Sequence, residues 1–163
     1  MGQDNGTSSS ADAVIRSGYP SDVPDAARVL SLFNMPPPRG VPTFVAERDG
    51  GVFGCASLFY AEGGFGWLAN VAVERGARRA GVGGRLVKAC LRRAEERSLP
   101  EVWLTTMFWN RRFYEGLGFE FIPVGEVSPD VRGYRQNDKC LFMRKTIALP
   151  VRQGARVRIE AAA

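Results

Sequence analysis

From residue 13 onward the spacing of apolar side chains changes period several times, and each change marks an element. Residues 13–16 read as a short strand. Ser21, Asp22, Val23 and Pro24 have the composition of a helix start, and Ala26, Ala27, Val29, Leu30 and Phe33 follow at helical spacing. Pro36, Pro37, Pro38 and Pro42 then remove backbone donors and push the residues before them toward extended geometry, so 35–42 reads as a stiff surface loop. Residues 43–48, 52–60 and 65–73 are apolar runs separated by Asp49-Gly50-Gly51 and Glu62-Gly63-Gly64, which predicts strands joined by hairpins.

At Val82 the period switches to that of a helix. Gly83, Leu86, Val87, Cys90, Leu91 and Ala94 share one face, while Arg85, Lys88, Arg92, Arg93, Glu95 and Glu96 take the other, and Pro100 stops the run. A strand at 101–106, a short helix at 110–117 closed by Gly118, a strand at 119–122, a loop and a strand at 139–147 complete the pattern. A hairpin meander followed by β-α-β-α-β implies a mixed sheet with helices on its faces.

The 163 residues suit one domain. Its expected limits are 12–148, after a disordered polar lead-in at 1–11 (MGQDNGTSSS and Ala11) and before a tail at 149–163 that reads as strand or as disorder. The charge balance, Lys+Arg 22 against Asp+Glu 17, is +5 and favours anionic partners without naming one. The absence of histidine excludes a Ser-His-Asp triad, a Cys-His pair and any His-containing metal site. Cys55, Cys90 and Cys140 are too widely spaced for a metal site or a disulfide framework, so no metal is expected. No apolar run approaches membrane-spanning length and no secretory signal precedes the domain, so a cytoplasmic location away from membranes is expected.

The most informative segment is Val71-Ala72-Val73, a strand end that feeds Arg78-Arg79-Ala80-Gly81-Val82-Gly83-Gly84 at the opening of a helix. Glycines let a backbone approach a ligand closely, and the unpaired N–H groups of a first helical turn favour an anion. The segment is not a P-loop, because Val82 and Gly83 stand where Lys and Ser/Thr are needed. It is not a dinucleotide fingerprint either, because Leu86 replaces the third glycine. Arg-x-x-Gly-x-Gly after such a strand resembles the coenzyme A signature of the GNAT superfamily of acyl-CoA N-acyltransferases. Asn110 to Phe119, with Phe113-Tyr114-Glu115-Gly116-Leu117-Gly118-Phe119, resembles the Phe-Tyr-x-x-x-Gly-Phe segment of the same superfamily. The element order agrees over 13–147. The resemblance implies an α/β fold of the α+β mixed-sheet kind, with a central, mostly antiparallel sheet of about seven strands and helices on both faces.

It also implies roles. Val71, Ala72 and Val73 match the backbone that pairs with the pantetheine arm. Arg78, Arg79, Ala80, Gly81, Val82, Gly83 and Gly84 match the pyrophosphate cradle, and Asn110 sits beside the arm where the chain enters the next helix. Arg75, Arg79, Arg85 and Lys88 are candidates for the 3′-phosphate. Tyr114 matches the general acid, suited to protonating a thiolate because an ordinary tyrosine pKa lies near 10. Asn70 stands where many members carry a Glu that serves as base; either it holds a water, with Glu62 or Glu74 completing a relay, or the amine arrives neutral. The acceptor pocket is expected between 33–42 and 124–138, lined by Phe33, Met35, Phe108 and Trp109, with Glu126, Asp130 and Asp138 attracting an ammonium.

The function so implied is transfer of acetyl from acetyl-CoA, a co-substrate, to a primary amine of a small or amino-acid-like molecule. A non-catalytic acyl-CoA-binding module and a protein N-terminal or lysine acetyltransferase are alternatives. A nucleic-acid partner is not expected, because the arginines are interspersed with acids and not with stacking aromatics. A homodimer stays open.

Overall fold

The computed structural model describes residues 13–77 and 81–148. Arg78, Arg79 and Ala80, the lead-in and the tail lie outside them. Seven strands form one sheet in the order β1-β2-β3-β4-β5-β7-β6. They are β1 (Val14–Ser17), β2 (Phe44–Arg48), β3 (Gly51–Tyr60), β4 (Gly66–Val73), β5 (Glu101–Thr106), β6 (Glu120–Ile122) and β7 (Leu141–Thr146). The helices are α1 (Val23–Ser31), α2 (Val82–Glu96), α3 (Arg111–Glu115) and α4 (Pro129–Arg132). All neighbouring strands are antiparallel except β4 and β5.

The alternation of the strands sorts side chains to two faces. On one face Ala26, Val29 and Leu30 of α1 meet Val45, Val52, Cys55 and Ala72. On the other, Leu86, Val87 and Cys90 of α2 meet Ala46, Ala56 and Leu68, and α3 adds Tyr114 to this side. A third cluster joins Trp67, Trp103 and Phe142 to Val127 and Val131 of the β6–β7 connection. Each fully buried Leu or Val contributes roughly 1.5–3 kcal/mol, so α2 is held by its apolar stripe rather than by its glycine-rich first turn. The start of α1 is fixed by Asp22, which accepts hydrogen bonds from Arg16 at 2.8 and 3.0 Å and from the Tyr19 N–H at 2.7 Å. The Arg16 guanidinium holds the Asp22 carboxyl below its ordinary range.

Element ends differ from the sequence reading where short-range signals are weak. The helix expected to reach Phe33 stops at Ser31, and the one expected at 110–117 is the single turn Arg111–Glu115, entered through a 3-10 turn at Phe108–Asn110. The loop before the last strand contains α4, begun by Pro129.

Candidate active site

β4 and β5 are paired only at Gly66 with Val102 and Trp67 with Trp103. Beyond Trp67 they part. β5 continues along β7 to the pair of Thr106 with Leu141, and among the described residues nothing takes over the free edge of β4. The backbone of Val71, Ala72 and Val73 runs along this opening. On its other edge β4 is paired with β3, where Ala69 faces Ser57 and Ala72 faces Cys55. Two residues, Asn70 and Val71, therefore oppose the single Ala56, which makes a bulge that turns the strand locally.

Asn70 lies in the left-handed region with φ 56°, a conformation that favours Asn among non-glycine residues because its short amide can bond locally. Its carbonyl accepts a hydrogen bond from the Cys55 thiol at 3.3 Å. The backbone thus favours a short Asn over the longer Glu at position 70, and the site gains a carboxamide that cannot accept a proton at neutral pH.

α2 begins beside the end of β4. Its N-cap, Gly81, has φ 75° and supplies no side-chain cap, so among the described residues the N–H groups of Val82, Gly83 and Gly84 open the helix uncapped. A Cβ added at Gly83 would meet the Phe113 ring at 3.5 Å and Val73 at 3.8 Å, which places α3 against this first turn. Tyr114, on α3, is 8% exposed. Its ring makes edge contacts with Phe113 at 4.8 Å and Phe119 at 5.7 Å. Burial pushes its hydroxyl pKa upward, and among the described residues nothing accepts its proton. Asn110 is exposed at the start of α3 without a side-chain cap bond.

Next to Ala69 and Asn70 opens a cavity of about 720 Å³. Pro36, Pro37 and Arg39 of the α1–β2 loop form one wall, Phe59 and Trp67 the floor, and residues 133–136 the far wall. Tyr134 packs on Trp67 with ring centroids 5.1 Å apart and on Phe65 at 5.6 Å. On the other side of Tyr134 is a smaller cavity of about 310 Å³ lined by Glu62, Gly63, Phe65 and Asp130.

The structure brings Asn70 to the large cavity and sets Glu62 in the small one. Gly66 and Asn70 are about 13 Å apart along β4 at 3.3 Å per residue, and Glu62 lies in the turn before Gly66, so no short relay joins it to Asn70. Glu74 is ion-paired with Arg28. The large cavity lies between residues 36–39 and 133–136, within the two loops where the acceptor pocket is expected, and its lining differs from the expected one. Phe33 and Met35 pack toward α1, and Phe108 and Trp109 meet edge to face while remaining 69% and 64% exposed. Glu126, Asp130 and Asp138 do not line the large cavity. Arg39, Tyr134 and Arg135 do, and the sequence reading missed them; their signal was confined to their position in the two loops. Of the basic residues near α2, Arg85 donates to the Ala13 carbonyl at 2.9 Å, Arg75 lies over the Phe33 ring and Lys88 is exposed.

A family model described as Acetyltransferase (GNAT) family matches residues 13–119. Similar solved structures include an acetyltransferase of GNAT family from Staphylococcus aureus, at 17% identity and TM-score 0.69 over 83% of this chain and 99% of that one. N-acetylglutamate synthase from Neisseria gonorrhoeae, complexed with coenzyme A and N-acetyl-glutamate, matches at 21% identity and TM-score 0.69 over 83% of this chain and 35% of that one. Ard1 from Thermoplasma volcanium matches at 20% identity and TM-score 0.69 over 84% of this chain and 99% of that one. At these identities the likeness is one of fold.

Proposed function

Because the chain belongs to the GNAT family of acetyltransferases, we propose that it moves the acetyl group of acetyl-CoA directly to the primary amine of a small, amino-acid-like acceptor. The observation that carries this reading is the parting of β4 from β5 beside the uncapped start of α2. An extended arm can pair with the free backbone of Val71 to Val73, and a pyrophosphate can accept from the N–H groups of Gly81 to Gly84. By the family resemblance, Arg78, Arg79 and Ala80, which lie outside the described residues, are assigned to this same cradle and Asn110 to the arm.

Acetyl-CoA supplies an acyl group already activated as a thioester. The large cavity holds the acceptor beside Asn70 and Val71. As the C–N bond forms, the backbone N–H at the bulge stabilises the carbonyl oxygen; as the C–S bond breaks, Tyr114 gives its proton to the sulfur. No protein nucleophile is required. Burial pushes the Cys55 and Cys90 thiols up to about 12, so neither is a thiolate near neutral pH. Asn70 can hold a water but cannot act as a base, so the amine enters neutral and sheds its proton to solvent after attack, and Tyr114 regains a proton from solvent once the thiol has left.

The test is release of free thiol from acetyl-CoA across an amine panel. Release should require an amine, and kcat/KM for the acceptor should climb with pH up to the pKa of the free amine, because only its neutral fraction attacks. Amine-independent release, or a limb titrating near pH 6–7 as a carboxylate base of raised pKa would give, would contradict it. Acetyl-CoA binding with no thiol release for any amine would favour a binding module.

A further inference from the structure

The large cavity is cationic. Two arginines, Arg39 and Arg135, are among the residues that line it and no Asp or Glu is. Arg135 is held in place by its own loop: its Nε donates to the Asn137 carbonyl at 2.9 Å, a second nitrogen donates to the Asp138 carbonyl, and its guanidinium lies 5.5 Å over the Phe142 ring. A guanidinium has five N–H donors, so three of Arg135 stay available. Arg39, at the end of the proline loop, has no ion pair among the described residues. Asn70 and the aromatic residues Phe59, Trp67 and Tyr134 line the same cavity.

Resting on the acetyltransferase reading, we propose that the acceptor carries a carboxylate held by Arg39 and Arg135, with an apolar or aromatic side group laid on Phe59, Trp67 and Tyr134. Planar forks on an aromatic floor suit a planar carboxylate bound by charge-assisted hydrogen bonds. A phosphate group is served best by clustered backbone N–H groups; prolines 36 and 37 have none to give. The two cations act on the amine as well. A nearby positive charge disfavours the ammonium form, so the arginines that fix the carboxylate also favour the neutral amine that Asn70, lacking a basic group, cannot generate. The carboxylates that would hold an ammonium instead, Glu62 and Asp130, face the smaller cavity behind Tyr134.

The experiment is calorimetric titration of the CoA-saturated protein with N-acetyl-L-leucine and N-acetyl-L-phenylalanine against their carboxamides. It is run beside thiol release with leucine, leucinamide and phosphoethanolamine compared at equal concentrations of neutral amine. Each acid should bind about tenfold or more tighter than its amide, as charged hydrogen bonds are expected to give. Arg39→Gln, which breaks no described contact, should abolish most of that difference, while Arg92→Gln on the outer face of α2 should keep it. Equal binding of acid and amide, binding of neither, or preferential acetylation of phosphoethanolamine overturns the proposal. Loss of CoA affinity in Arg39→Gln also overturns it, since the arginine would then serve the coenzyme. If the acids bind with the stated preference and no thiol is released, the carboxylate site stands and the acetyltransferase reading fails. If thiol is released equally for acids and amides, the reverse holds.

Discussion

Tyr114 is buried at 8% exposure, its hydroxyl without a described acceptor and its pKa raised by desolvation. A phenol in that state stays protonated through any pH at which the enzyme would work and has its proton free to give to a departing thiolate. Removing the oxygen deletes no described hydrogen bond and leaves the ring packed between Phe113 and Phe119. Tyr114→Phe should therefore lower the turnover number on the order of 10²-fold while shifting stability by less than about 0.5 kcal/mol, within the range of substitutions that break no packing or network. Thiol-release kinetics and urea unfolding of the same preparation check this. Full turnover with lowered stability would make Tyr114 a packing residue only.

At the scale of elements, Gly81 and Gly83 at the start of α2 have different reasons to be glycine. Gly81 has φ 75° with open space where a Cβ would go, whereas Gly83 is inside α2 with room for a Cβ at ordinary contact from Phe113. Gly81→Ala should cost about 1–2 kcal/mol, the left-handed penalty, and weaken acetyl-CoA binding, because the N–H groups it aims are displaced. Gly83→Ala should instead raise stability by about 0.5–1 kcal/mol, the helical preference for Ala. Urea midpoints and acetyl-CoA calorimetry read both. This turn was legible in the sequence because its chemistry is local: glycine spacing, a preceding apolar strand and a helical stripe from Leu86 to Ala94. The gap beside it was not legible. Two strands that pair for two residues and then diverge do so because β5 follows β7, 35 or more positions away, and no short-range pattern in Glu101 to Thr106 records that. The acceptor walls were misjudged for the same reason. The exposed Phe108 and Trp109 and the loop-borne Arg39 and Arg135 differ in position in space and not in any local pattern.

At the scale of the whole molecule, three protonated groups among the described residues are buried where ionisation is disfavoured. Cys55 and Cys90 are raised to about 12, with Tyr114 also raised, chiefly by burial. The folded state holds these protons more tightly than the unfolded chain, whose thiols ionise near 8.5. Their contribution to stability is thus whole below that value and declines as pH rises toward 12. The urea midpoint should fall steadily above about pH 9, and Cys90→Ala should make the fall shallower even though the variant starts lower from lost packing. A midpoint independent of pH in that window would show that these groups ionise as freely in the fold as outside it.

The chain has no histidine and burial holds two of its three thiols, Cys55 and Cys90, in the protonated form, so the proposed acetyl transfer runs by direct attack of the acceptor on bound acetyl-CoA. Initial rates of thiol release with both acetyl-CoA and the amine varied test this most directly. Double-reciprocal lines that intersect would show that both substrates are bound together before any product leaves, as the account predicts. Parallel lines, the mark of an acetylated enzyme formed before the amine binds, would contradict it.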